Sequence, residues 1–356
     1  MPKYNKWNFV IFFILFINIV FVQAQTRSEK IDELIKSYYD LNSFNGTVLV
    51  ADDGKVIFKK AYGYMDFESD MPAAVNTRFP IYSISKQFTS LLIMQLVEKG
   101  KISLQGKLSE YYPEYRKDTG SRITVHHLLT HTHGITPPDW KKIPPEKIFS
   151  FKQLILDKFS NDLEFEPGTD FHYGIGHIIL AGIVEEITGK SFKTVMKENI
   201  LDPVGMSNTG FIEDETHIAN LAASYKKEDG KILQRPGRDL SQTIGASGMY
   251  STVEDLYKWD QALYGNKILT QKYIEKMFIP HNPQWNRPYG YGWDIRELSF
   301  GEKTKKIVMH DGGTVTRIIR AIDDKHLIIL LGNILFGNNN SEIALKILNE
   351  FYDLPK

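Results

Sequence analysis

The chain has 356 residues, 42% of them hydrophobic and 12% aromatic, enough apolar material for a large core and too much for a disordered chain. Lys+Arg and Asp+Glu both number 43, with no long like-charge block, so neither a nucleic-acid footprint nor an acidic-lipid surface is indicated. Cysteine is absent, which excludes disulfides, thiolate nucleophiles, zinc–thiolate sites and a lipid-modified cysteine anchor together.

In chain order, Lys3 and Lys6 precede a nearly unbroken apolar run, Phe9 to Val22, and Val22-Gln23-Ala24 has the small-residue character of a cleavage site. This pattern predicts an export signal over residues 1–24 and a mature chain over 25–356 with no membrane span; the alternative is an uncleaved N-terminal anchor. Periodicity then predicts a helix over Glu29–Leu41 and two strands, Gly46–Ala51 and Lys55–Tyr62, with Asp52-Asp53-Gly54 as their hairpin turn. Ser85–Lys99 is apolar almost all round, the mark of a buried helix, and Gly100 can end it. Further helices are expected at Thr124–Thr130, Lys147–Phe159, Gly176–Thr188, Phe192–Ile200 and Val253–Tyr264. Strands follow at Ile307–His310, Thr316–Asp323 and His326–Gly332, and a last helix at Ser341–Phe351. Lone hairpins are marginal, so the strands of both ends should join one antiparallel sheet. The expected fold is one discontinuous α+β domain: a sheet region from about 25–80 and 285–356, with a helical region between.

The chemistry is carried by Ser83-Ile84-Ser85-Lys86, which opens the buried helix. A serine hydroxyl needs a base, and a lysine three residues on shares its helix face. Burial can lower that lysine's pKa far enough for it to act as the base. A second copy of the pattern, Ser224 to Lys227, sits in a polar stretch without an apolar helix and reads as a solvated turn.

Ser-x-x-Lys is part of the signature of β-lactamases and penicillin-binding proteins. Other segments resemble the branch of that superfamily holding class C β-lactamases, D-alanyl-D-alanine carboxypeptidases and related esterases. They are Ile123–Ile135, Glu166-Pro167-Gly168, Pro203-Val204-Gly205-Met206 and Gly245–Thr252. The resemblance runs from about Tyr38 to Leu348. It implies a β-lactamase/transpeptidase-like fold, Ser83 as nucleophile, Lys86 as base and Tyr173 as proton shuttle. It also implies an oxyanion hole from the N–H groups of Ser83 and Gly313, and no cofactor.

The chain departs from the branch at three points. Tyr173-Gly174-Ile175 stands where Tyr-x-Asn is usual, so Ile175 cannot offer a side-chain amide to the substrate. His310-Asp311-Gly312-Gly313 stands in the place of Lys-Thr-Gly, which makes His310 a candidate for reading substrate charge and the glycines candidates for close substrate approach. His133 stands where many members have serine. A literal Tyr264-Gly265-Asn266 reads as a helix end. His127, His131 and His133 are better read as packing and loop hydrogen bonds than as metal ligands, because the zinc-protease spacing lacks its glutamate.

The implied substrate is a small ester or amide, or a peptidoglycan-like peptide. Ile175 favours esters, while peptide, D-amino-acid amide, lactone and β-lactam substrates stay open. A non-catalytic penicillin-binding or sensing protein on the same fold is the rival reading.

Overall fold

A computed structural model describes residues 25–143, 150–212, 218–235, 241–282, 287–335 and 339–352. The expected export signal lies outside them. Among the described residues, no helix is long and apolar enough to cross a membrane.

The two ends of the chain meet in one six-stranded antiparallel sheet. From one edge its strands are Asp294–Phe300, Lys303–Gly312, Thr316–Ala321, His326–Gly332, Gly46–Asp52 and Lys55–Tyr62. Closure runs through the pairing of Gly46 with Gly332 and of Ala51 with Leu327. Asp53 and Gly54, with φ of 46° and 70°, both adopt the left-handed conformation that a two-residue hairpin turn of matching twist demands.

The central strands are apolar runs rather than alternating ones because both sheet faces are covered. Val48, Val50, Ile328 and Leu330 face the terminal helices Arg27–Asp40 and Asn339–Tyr352, meeting Ile31, Ile35, Ile343 and Ile347. Leu49, Ile318, Ile329 and Leu331 face the helical region, whose centre is the Ser85–Glu98 helix. Phe88 of that helix stacks on Trp259 of the helix Val253–Ala262 at 4.2 Å between ring centroids. Arg320 and Asp260 form a fully buried ion pair at 2.5 Å beside this contact. Asp260→Ala leaves a buried guanidinium without its counter-charge and should cost about 3–5 kcal/mol, read as a lower urea midpoint with little change in slope.

Three sequence expectations need correction. The sequence does not signal the strand Asp294–Phe300; it lies at the sheet edge and exposes Glu297 and Ser299 on one face, so its apolar signal is weak. Ser224 does not open a solvated turn: Tyr225–Glu228 is a strand paired with Lys231–Gln234 and, in parallel, with Ile334–Leu335. In a strand, positions i and i+3 point to opposite faces. Lys227 accordingly turns its Nζ to the Asn42 carbonyl, and this second Ser-x-x-Lys cannot form a pair. Tyr264-Gly265-Asn266 lies just past the helix end, where Leu263 is the cap; Asn266 Oδ1 instead accepts the Gln271 N–H.

Candidate active site

Ser83 sits on a single 3₁₀ turn, Tyr82–Ile84, that runs directly into the Ser85–Glu98 helix. Tyr82, just before Ser83, holds a φ of 44°, a strained conformation for a non-glycine residue. Lys86, in the first helical turn, is 3% exposed, and its Nζ lies 3.0 Å from Ser83 Oγ. The same Nζ donates to the Ala246 carbonyl at 2.8 Å. That carbonyl is held in place by its neighbour, because Thr89 Oγ1 donates to the Gly245 carbonyl at 2.6 Å. Gly292, with φ of 79°, presses a loop onto the Lys86 backbone so closely that a Cβ there would lie 2.8 Å from the Lys86 carbonyl oxygen.

Desolvation, with a smaller contribution from the Arg287 cation, lowers the Lys86 pKa to about 7. Among the described residues no carboxylate pairs with it, the setting in which a lysine amine can act as a base near neutrality. Tyr173 lies beside it, with Nζ 4.6 Å from the ring centroid. Burial raises the Tyr173 phenol, partly opposed by a hydrogen bond with Ser83, so it is an O–H donor at neutral pH.

His131 fixes the segment that carries Tyr173. Its carbonyl accepts the His172 N–H at 2.9 Å and its Nδ1 accepts the Gly174 N–H at 3.3 Å. Its ring packs 4.5 Å from the Tyr173 ring. It reaches these contacts from a φ of 59°, beyond the end of the short helix Val125–Leu129. His127 is instead the N-terminal cap partner of that helix, with Nδ1 3.3 Å from the Thr124 N–H. The two histidines therefore do not share a helix face. Among the described residues, no group of three His, Cys, Asp or Glu is placed to hold a metal.

Ser83, Lys86, Tyr173, Ile175 and Gly313 line one cleft of about 400 Å³. Gly313 has a φ of 59°, a Cβ there would touch only Tyr82 Cδ2 at 4.0 Å, and no acceptor takes its N–H among the described residues. Ser83 and Gly313, the two residues expected to supply an oxyanion hole, thus line the same cleft. Gly312 does not line the cleft. It is required by packing, since a Cβ there would lie 2.0 Å from Thr316 Oγ1 and 2.3 Å from the Ile81 carbonyl oxygen.

His310 also needs correction. It is 2% exposed and does not line the cleft. Its Nδ1 donates to the Asp311 carbonyl at 2.8 Å and its Nε2 lies 3.1 Å from the Tyr289 hydroxyl, so both nitrogens are occupied. Burial outweighs the opposing pull of Asp294 and lowers its pKa to about 4. The expected titration with substrate near neutrality gives way to a structural role. His310→Gln should leave the pH dependence of the ratio of KM for an anionic to a neutral substrate unchanged between about pH 5.5 and 8, where a free histidine would titrate. A rise of that ratio with pH, lost in His310→Gln, would restore the recognition role.

Sequence reasoning missed Arg287, Trp140 and the Ala246 carbonyl. Arg287 pairs with Asp294 through two bonds of 2.8 and 3.1 Å and stands 4.7 Å over the Tyr173 ring. Trp140 lines the cleft from a short turn, Trp140–Lys142.

The beta-lactamase family model matches residues 31–348. Teichoic acid D-alanine hydrolase of Staphylococcus aureus is 28% identical over 92% of this chain and 78% of its own length. A penicillin-binding protein from Bacillus halodurans superposes with a TM-score of 0.75 at 27% identity, covering 89% of this chain and 98% of that one. A class C beta-lactamase shares the fold with a TM-score of 0.77 at 22% identity, covering 94% and 99%. With the family model spanning residues 31–348, nearly the whole described chain, the chain belongs to the beta-lactamase family.

Proposed function

We propose that the protein is an exported serine hydrolase that cleaves esters through an acyl-enzyme on Ser83. The observation that carries this reading is the buried, carboxylate-free Lys86 amine at 3.0 Å from Ser83 Oγ. Neutral Lys86 takes the Ser83 proton as Oγ bonds to the substrate carbonyl carbon. The carbonyl oxygen, now negative, is received by the N–H groups of Ser83 and Gly313. As the C–O bond to the leaving alcohol breaks, Tyr173 O–H delivers a proton to it and is recharged from Lys86. Water then adds to the acyl-enzyme by the same route reversed, releasing acid and free Ser83. The route uses the chain's own residues throughout. The name of the Staphylococcus aureus relative, a teichoic acid D-alanine hydrolase, agrees with hydrolysis of a small acyl group.

Ile175 favours esters over amides. It lines the cleft, 3% exposed, at the start of the Gly176–Thr188 helix and makes no side-chain capping bond. An acylamide buried against it goes unpaired, at about 1–3 kcal/mol, or roughly tenfold to a hundredfold in kcat/KM. Ile175→Asn should therefore raise nitrocefin turnover relative to p-nitrophenyl acetate by about tenfold. Equal loss of both activities would instead make Ile175 a packing residue.

A panel of p-nitrophenyl esters, nitrocefin and D-Ala-D-Ala peptides, with a Ser83→Ala control, tests the reaction. A stable adduct on Ser83 without turnover would favour a penicillin-binding sensor. Export is tested separately: N-terminal sequencing of secreted protein should begin near Gln25, whereas an intact Phe9–Val22 in the membrane fraction means an anchor.

A further inference from the structure

The cleft has one apolar wall. Pro137, Trp140, Ile175, Ile178 and Ala246 line it beside Ser83 and Tyr173. Ile175, Ile178 and Ala246 are 3%, 2% and 6% exposed, so they form a fixed floor rather than a surface. Trp140 is held from behind by Phe159, edge to face at 5.9 Å, and its turn is capped by Asp139, whose side chain accepts the Lys141 N–H at 3.1 Å.

The described lining also lacks a free charge. It contains no carboxylate and two ionisable nitrogen bases. Lys86 is occupied by Ser83 and the Ala246 carbonyl. His172 is paired through Nδ1 with Glu164. Arg287, over Tyr173, is neutralised by both oxygens of Asp294, and His310 is sealed behind Tyr289. A substrate carboxylate would lose its hydration here without meeting an unoccupied cation among the described lining, whereas an apolar group would leave water for an apolar surface.

From this we propose that the natural substrate is an uncharged ester carrying an apolar group of several carbons next to the scissile carbonyl, seated on Trp140, Ile175 and Ile178. The inference rests on the esterase reading above and goes beyond it in naming the substrate class. Trp140 is its specificity-determining residue.

Two series of neutral esters test it on the whole mature protein. In one, p-nitrophenyl esters run from acetate to octanoate, extending the acyl side. In the other, alkyl acetates run from methyl to hexyl, extending the alcohol side. Each methylene that finds the wall should raise kcat/KM by about threefold to fourfold. At least one series should therefore climb tenfold or more before it levels off, and the climbing series tells which side of the carbonyl the wall holds. An ester ending in a carboxylate, matched in length, should fall at least tenfold below its neutral counterpart. Trp140→Ala should reduce the long-to-short ratio by fivefold or more, and Trp140→Phe should restore part of it. Should Trp140→Ala not fold, the wild-type series decides alone. Ser83-dependent acetate hydrolysis with both series flat or falling would overturn this proposal and leave the esterase reading standing. No Ser83-dependent turnover anywhere in either series would overturn both.

Discussion

Ser83→Ala is expected to lower ester turnover by roughly three to six orders of magnitude and to abolish covalent labelling by a fluorophosphonate, with the fold unchanged. The substitution removes one oxygen from a half-exposed position on the Tyr82–Ile84 turn, and neither the Lys86 bond to the Ala246 carbonyl nor the apolar helix behind it depends on that oxygen. The loss falls on chemistry alone, so the thermal midpoint should move little while kcat collapses. Ser224→Ala is the matched control. Its Oγ lies 3.4 Å from the Tyr82 hydroxyl, close to the cleft, but its Lys227 is turned away to Asn42. A modest change in KM through Tyr82 is compatible with this geometry; loss of labelling is not. Labelling that persists in Ser83→Ala and vanishes in Ser224→Ala would reverse the assignment of the two motifs.

What the sequence discloses follows the range of the interaction that matters. The Ser83–Lys86 pair is local: three residues on a helix entrance bring the groups together whatever the rest of the chain does, and the apolar helix behind them announces burial. The sheet was legible for a related reason, since two short apolar hairpins at opposite ends have few stable alternatives to pairing with each other. The edge strand Asp294–Phe300 was not, because the face that exposes Glu297 and Ser299 need not carry an apolar signature. Nor was the strand after Ser224, a polar hairpin with Lys231–Gln234 whose exposed residues carry no apolar alternation and whose third strand, Ile334–Leu335, comes from the far end of the chain. The site follows the same division. Tyr173 and Gly313 could be named by resemblance, and Gly245–Thr252 matched without showing that its Ala246 carbonyl meets Lys86, whereas the Arg287 cation and the Trp140 wall come from segments distant in sequence with no motif of their own. His310 was misjudged because its environment is set by Tyr289 and Asp311 rather than by the cleft.

The pH profile should show Lys86 working as a neutral base. Burial disfavours the ammonium form, and the Arg287 cation adds to that, which brings the pKa down to about 7. A base acts unprotonated, so kcat/KM for a neutral ester should rise with pH through about 7 and then level off, falling about tenfold per unit on the acid side. The four histidines buried around the site do not produce this limb. Burial holds His310 near 4 and His133 near 3, and puts His131 and His177 well below their ordinary value, so all four are already neutral where the rate is rising. Tyr173 moves the other way, raised by burial, and remains a protonated donor across the range. Two variants separate the contributions. Lys86→Met removes the base while keeping the stem's volume, and should cost at least about a thousandfold with the acid limb gone. Arg287→Gln removes the second cause of the shift, so the limb should move to higher pH by a fraction of a unit while the plateau rate changes much less. A limb that stays in place in Lys86→Met at undiminished rate would mean that another group takes the Ser83 proton.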